Sequence, residues 1–163
     1  MVKNFKIKIF ADGADLSSIK KLNSIKYISG FTTNPTLMKR AGIKDYKKFA
    51  LNVLKYVKIK PISFEVFADS LNLMKQQGKE IASWGKNVYV KIPVTNSKGV
   101  KTTNIIKSLS KEGISLNITA LFTKSQILET VNALDKETKS IISIFAGRIA
   151  DTGVNPENIM KYA

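Results

Sequence analysis

Six short β-branched runs alternate along this chain with longer stretches of helical character, and that alternation restricts the fold more than any other feature. Runs at Phe5–Ala11, Tyr27–Phe31, Ile62–Phe67, Asn87–Ile92, Ile114–Ile118 and Ser140–Phe145 predict strands. Helices are predicted near residues 15–24, 35–57, 70–84, 100–112 and 124–137, with the second breaking at Gly42 into two short pieces. Helix starts are marked by Asn34 and Pro35, by Asp69 or Ser70, and by Thr123. Strand and helix in strict alternation means βα units and a parallel sheet, which is either an open doubly wound sheet or a (β/α)8 barrel. Neither Gly-x-Gly-x-x-Gly nor Gly-x-x-x-x-Gly-Lys follows the first run, so dinucleotide and P-loop readings lose their main support.

The chain has 163 residues, 44% of them hydrophobic, and no Pro/Gly/Ser linker, which predicts a single domain over 1–163. It has no cysteine and no histidine. Disulfides, thiolate chemistry, soft-metal ligation and imidazole acid/base catalysis are therefore excluded, and no metal site is expected. Any chemistry rests on Lys, Asp, Glu, Ser, Thr or Tyr. The net charge of +15 would suit a polyanionic partner, but Arg40 and Arg148 are the two arginines among 27 basic residues, and the lysines are scattered. Scattered lysine reads as a solvated surface, so no nucleic-acid partner is expected. No apolar run approaches a membrane span and no signal segment opens the chain, so no membrane association and a cytoplasmic location are expected.

Side chains alternate faces along a strand, so each run divides into two sets. Ile7, Ile9, Phe64, Val66, Val88, Val90, Ile92, Ile114, Leu116, Ile118, Ile142 and Ile144 form a uniformly apolar set, expected to pack outward against helices. The opposite set holds Asp12, Glu65, Lys91, Asn117, Thr119 and Ser143, each near the end of its strand. In a barrel that set points inward at the carboxyl-terminal rim, where such folds place their active sites. Parallel strands normally read as continuous apolar runs, so a lysine and two carboxylates on one face need partners or a task. A lysine snorkelling to water, or ion-paired with Glu65, is the alternative for Lys91 alone; its coincidence with the rest of the polar set favours chemistry. Desolvation favours a neutral amine, and a neutral amine attacks a carbonyl to form an imine. Once protonated, the imine is an electron sink that lets a nearby carbon–carbon bond break and leaves an enamine. Such chemistry needs a carboxylate to move the hydroxyl proton and another group to manage water, which Asp12 and Glu65 can supply.

Phe10-Ala11-Asp12-Gly13-Ala14-Asp15, Gly30-Phe31-Thr32-Thr33-Asn34-Pro35-Thr36-Leu37, Val90-Lys91-Ile92-Pro93, Leu116-Asn117-Ile118-Thr119 and Ile142-Ser143-Ile144-Phe145-Ala146-Gly147-Arg148-Ile149 resemble the transaldolase family, in order and over essentially the whole chain. Segment lengths resemble its short subfamily, which includes the fructose-6-phosphate aldolases. The resemblance implies a (β/α)8 TIM barrel of class I aldolase type that needs no cofactor. It implies sugar phosphate substrates; the sequence leaves the oligomeric state open, a homo-oligomer included. It makes Lys91 the Schiff-base nucleophile and Asp12 the acid/base at the hydroxyl freed by cleavage, with Glu65 and Thr119 holding the water used in imine formation. Thr33, Asn34, Asn117, Ser143 and Phe145 would contact the donor, and Arg148 its phosphate. Bland alternatives are a helix cap for Asn34, satisfied strand-end hydroxyls for Thr119 and Ser143, and a surface charge for Arg148. Glu65 stands where the aldolases carry glutamine and Phe145 where they carry tyrosine, which implies the transferase of the pentose phosphate pathway. A fructose-6-phosphate or dihydroxyacetone aldolase and an inactive binding protein are the alternatives. Six βα units are visible where the family has eight, and Asn155–Met160 reads as a helix just starting. A truncated barrel is therefore expected, with completion by another chain as an alternative.

Overall fold

The computed structural model describes residues 6–163. Among them the elements run β1 (Ile9–Asp12), α1 (Leu16–Asn23), β2 (Ile28–Thr32), α2 (Pro35–Arg40), α3 (Tyr46–Leu54), β3 (Ile62–Glu65), α4 (Leu71–Ala82), β4 (Val88–Pro93), α5 (Thr103–Lys111), β5 (Leu116–Leu121), α6 (Lys124–Ala133), β6 (Ser140–Ile144), α7 (Ala146–Asp151) and α8 (Glu157–Tyr162). The strands lie in sequence order, and the registered pairs β1–β2, β2–β3, β4–β5 and β5–β6 are parallel. Sequential order with a helix after each strand is the barrel arrangement. A doubly wound sheet would reverse its order at a switch point. The fold is thus of (β/α)8 TIM-barrel type, carried through six βα units.

The chain divides into two compact units, one formed by the described residues through Glu65 and by Ile81–Tyr89, the other by Val66–Glu80 and Val90–Ala163. In the first, Phe31, Ile62 and Phe64 on the strands and Phe49, Ala50 and Val53 on α3 are buried. Tyr46, Phe64 and Trp84 close this core edge to face, with ring centroids 5.2–6.1 Å apart, each pair adding about 0.5–1.5 kcal/mol beyond area burial. Gly30 lets β2 approach its neighbours: a Cβ there would overlap the Phe10 ring and lie 2.8 Å from the Pro61 carbonyl oxygen. In the second unit Val90, Ile92, Leu116, Ile118 and Leu121 on the strands and Ile105, Ile106 and Leu109 on α5 are buried. The α6 start is a capping box between Thr123 and Gln126, satisfying two otherwise orphaned helix N–H groups.

Four local expectations are corrected or refined. The first strand begins at Ile9; the expected start at Phe5 lies outside the described residues, and Ile7 is 72% exposed rather than packed against a helix. Of the two residues expected to mark the start of α4, Ser70 directly precedes it, while the Asp69 carboxylate accepts from the Ser97 backbone N–H at 2.7 Å and hydroxyl at 2.8 Å. The Ser70 carbonyl takes the Met74 N–H. β5 starts at Leu116 and not at Ile114, and runs on to Leu121. Finally, α7 at Ala146–Asp151 is a short helix that precedes the one expected to start near Asn155, which forms as α8 from Glu157.

Candidate active site

In the first unit, register places Asp12 opposite Thr32 and Thr32 opposite Ser63, with Glu65 two residues further along the same face. The Thr32 hydroxyl donates to Asp12 Oδ1 at 2.8 Å, orienting a carboxylate that is itself exposed. Asp12 also lines a recess of about 160 Å³ with Ala11, Gly13, Ser18 and Phe31 at the carboxyl end of β1. The Tyr46 hydroxyl donates to the Glu65 carbonyl oxygen at 2.8 Å. Burial, reinforced by the Glu65 charge, pushes the Tyr46 phenol well above its ordinary range, so it acts as a fixed donor. Thr33 is 1% exposed and its Oγ1 is buried without a hydrogen-bond partner. Asn34 caps α2, its side-chain oxygen accepting from the Leu37 N–H at 2.9 Å. Asp15 caps α1 in the same way, and bonds from Ser18 and Ser17 hold its carboxyl at about 2.

In the second unit Lys91 pairs with Asn117 and Pro93 with Thr119, while Asn117 pairs with Ile141, two residues before Ser143. Partners in parallel register share a face, so Lys91, Asn117, Thr119 and Ser143 lie on one side and Val90, Ile92, Leu116 and Ile118 on the other, as the alternation predicts. Lys91 is 9% exposed, Asn117 and Thr119 1% each. The Ser143 hydroxyl donates to Asn117 Oδ1 at 2.7 Å. Thr119 Oγ1 is buried without a hydrogen-bond partner, a condition rare enough in folded proteins to need a reason. Phe145 follows β6 as the N-cap residue of α7 and meets Phe122 edge to face at 5.6 Å. Arg148 stands exposed on α7, 3.4 Å from Asp151.

The residues that sequence reasoning missed are Thr32, Tyr46, Phe122 and Ala120. Thr32 was accessible to it, since the alternation that selects Asp12 also selects its cross-strand partner. Ala120 carries φ +61°, a left-handed conformation that costs a side-chain-bearing residue about 1–3 kcal/mol. Alanine gives no sequence sign of it. A second groove, along α3 between Asp45, Lys48, Leu51 and Lys55, contains none of the predicted residues. Among the described residues no three acidic side chains cluster to hold a metal, and no helix is long and apolar enough to cross a membrane.

The family model for transaldolase/fructose-6-phosphate aldolase matches residues 9–162. Proteins described as probable transaldolases from Streptococcus pyogenes serotypes M5 and M49 are each 40% identical over 155 residues, covering 95% of this chain and 68% of the relative. Strand order, the polar face and these matches agree: the chain belongs to the transaldolase/fructose-6-phosphate aldolase family.

Proposed function

We propose that this protein is a transaldolase of the pentose phosphate pathway, acting in the cytoplasm on sugar phosphates through a Schiff base on Lys91. The observation that carries this reading is the placement of Lys91, 9% exposed in β4, on the same sheet face as Asn117, Thr119 and Ser143. An amine sequestered in a sheet interior beside hydroxyl and amide groups is suited to carbonyl attack.

Lys91 Nζ adds to the ketose carbonyl, and loss of water from the carbinolamine gives the iminium. Asp12 takes the proton of the hydroxyl two carbons away as the intervening carbon–carbon bond breaks, the iminium accepts the electron pair, and the shortened aldose departs. The three-carbon enamine left on Lys91 attacks the acceptor aldehyde, whose oxygen recovers the proton. Water then releases the product. Thr32 serves this by holding the Asp12 carboxylate. Asn117 and Ser143, already hydrogen-bonded to each other, bind the donor's hydroxyls, and Thr119 Oγ1 offers a buried oxygen to the water of imine formation, with Glu65 in the same task. Thr33, Asn34 and Phe145 contact the donor and Arg148 its phosphate. Glutamate at 65 and phenylalanine at 145 favour transfer from sedoheptulose 7-phosphate to glyceraldehyde 3-phosphate, giving erythrose 4-phosphate and fructose 6-phosphate.

The test is a reverse transfer assay with fructose 6-phosphate and erythrose 4-phosphate, read by mass. Sedoheptulose 7-phosphate formed only with both sugars supports the reading. Free dihydroxyacetone released without acceptor identifies an aldolase instead, and neither product contradicts both.

A further inference from the structure

The carboxyl end of β5 departs from strand geometry at one residue. Ile118 pairs with Ile142 and Leu121 with Ile144, so three steps on β5 match two on β6 and one residue is inserted. Ala120, at φ +61°, is the left-handed residue within this bulge. The strand is clamped on both sides of it: the Val94 N–H donates to the Thr119 carbonyl at 2.9 Å, and the Phe145 N–H to the Leu121 carbonyl at 3.0 Å. With uninterrupted alternation Leu121 would share a face with Asn117 and Thr119. The bulge moves it to the face of Ile118, where it is wholly buried. Thr119 therefore ends the polar face, its Oγ1 buried and without a hydrogen-bond partner.

We propose that Ala120 is a positioning residue for Thr119: its left-handed backbone inserts the bulge that excludes Leu121 from the polar face and fixes Thr119 Oγ1 there. This deepens, and rests on, the assignment of Thr119 to the water of imine formation. Glycine would adopt the same backbone without strain, and asparagine with little. A β-branched residue would not, and would drive the segment back toward extended geometry.

The experiment measures the rate at which borohydride fixes fructose 6-phosphate onto the full chain, at saturating ketose, alongside circular dichroism and thermal melting. Ala120→Gly and Ala120→Asn are expected to trap within about twofold of the parent and to melt at or above its temperature. Ala120→Val is expected to trap at least about tenfold more slowly while folded. In a Thr119→Ala background, Ala120→Val is expected to cost less than it does alone, what remains being the return of Leu121 to the polar face, since residues acting through one another are non-additive. A folded Ala120→Val that traps at the parent rate, or a loss that adds in full to that of Thr119→Ala, overturns the proposal. So does a folded Ala120→Gly that loses about tenfold, because the methyl group and not the backbone hand would then carry the effect; this arm decides even where the valine variant fails to fold. A parent with no adduct defeats the Schiff-base reading and the proposal with it, whereas a trapping parent with an indifferent residue 120 defeats the proposal alone.

Discussion

Replacing Gly30 with alanine sets two opposing effects against each other in β2. Removing glycine's freedom in the unfolded chain stabilises by about 0.4–1 kcal/mol. Against this, the new Cβ would overlap the Phe10 ring and approach the Pro61 carbonyl oxygen to 2.8 Å. Overpacking of this kind costs about 1–3 kcal/mol. The ring can turn; the carbonyl cannot, because it accepts the Phe31 N–H at 2.8 Å and so fixes the β2–β3 register. The steric term should win, leaving Gly30→Ala less stable by about 1–2 kcal/mol and lowering Tm by about 2–8 °C for a chain of this size. Thermal melting followed by circular dichroism measures it. Because Phe10 pairs with Gly30 and Asp12 with Thr32, the strain falls next to the 2.8 Å bond that orients Asp12. Adding Phe10→Leu should restore part of the loss and not all, since the carbonyl contact persists. A Gly30→Ala chain as stable as the parent would refute the reasoning.

Glu65→Gln should slow transfer and shift the balance toward release of free dihydroxyacetone, read by product ratio; unchanged kinetics would remove Glu65 from the handling of water. Tyr46→Phe deletes the bond to the Glu65 carbonyl and should cost about 1 kcal/mol of stability, measured by urea denaturation. Asp15 has its carboxyl held at about 2, below the ordinary 3.8, by Ser18 and Ser17. Its contribution is therefore complete above about pH 4 and lost as pH falls from there toward 2. Asp15→Asn keeps a capping oxygen but removes the titration, so its Tm against pH should be flatter than the parent's across that window.

The parts of this fold that were legible in the sequence are those governed by periodicity. Alternation of period two placed Lys91, Asn117, Thr119 and Ser143 on one face, and the registers of β4, β5 and β6 bear this out. Asn34 and Thr123 announced α2 and α6 because a short polar side chain before a helix is the cheapest partner for its orphaned N–H groups. What was not legible is what tertiary structure decides. Asp69 and Ser70 both have the chemistry of a cap, but the Ser97 loop claims the Asp69 carboxylate. Ile7 has the residue type of a core strand yet lies before β1 in solvent. The bulge at Ala120 was invisible because alanine has no preference for left-handed backbone; only the clamps at Thr119 and Leu121 hold it there. Asn34 shows the converse: its cap was legible, and its side-chain oxygen accepts from the Leu37 N–H at 2.9 Å.

The most direct test of the central claim, that Lys91 is the nucleophile of this chain, is borohydride reduction in the presence of fructose 6-phosphate, followed by intact mass and peptide mapping. One sugar-derived adduct per chain is expected, on the peptide carrying Lys91, and none in Lys91→Ala. A folded parent that takes up no adduct, or an adduct that persists in Lys91→Ala, would contradict it.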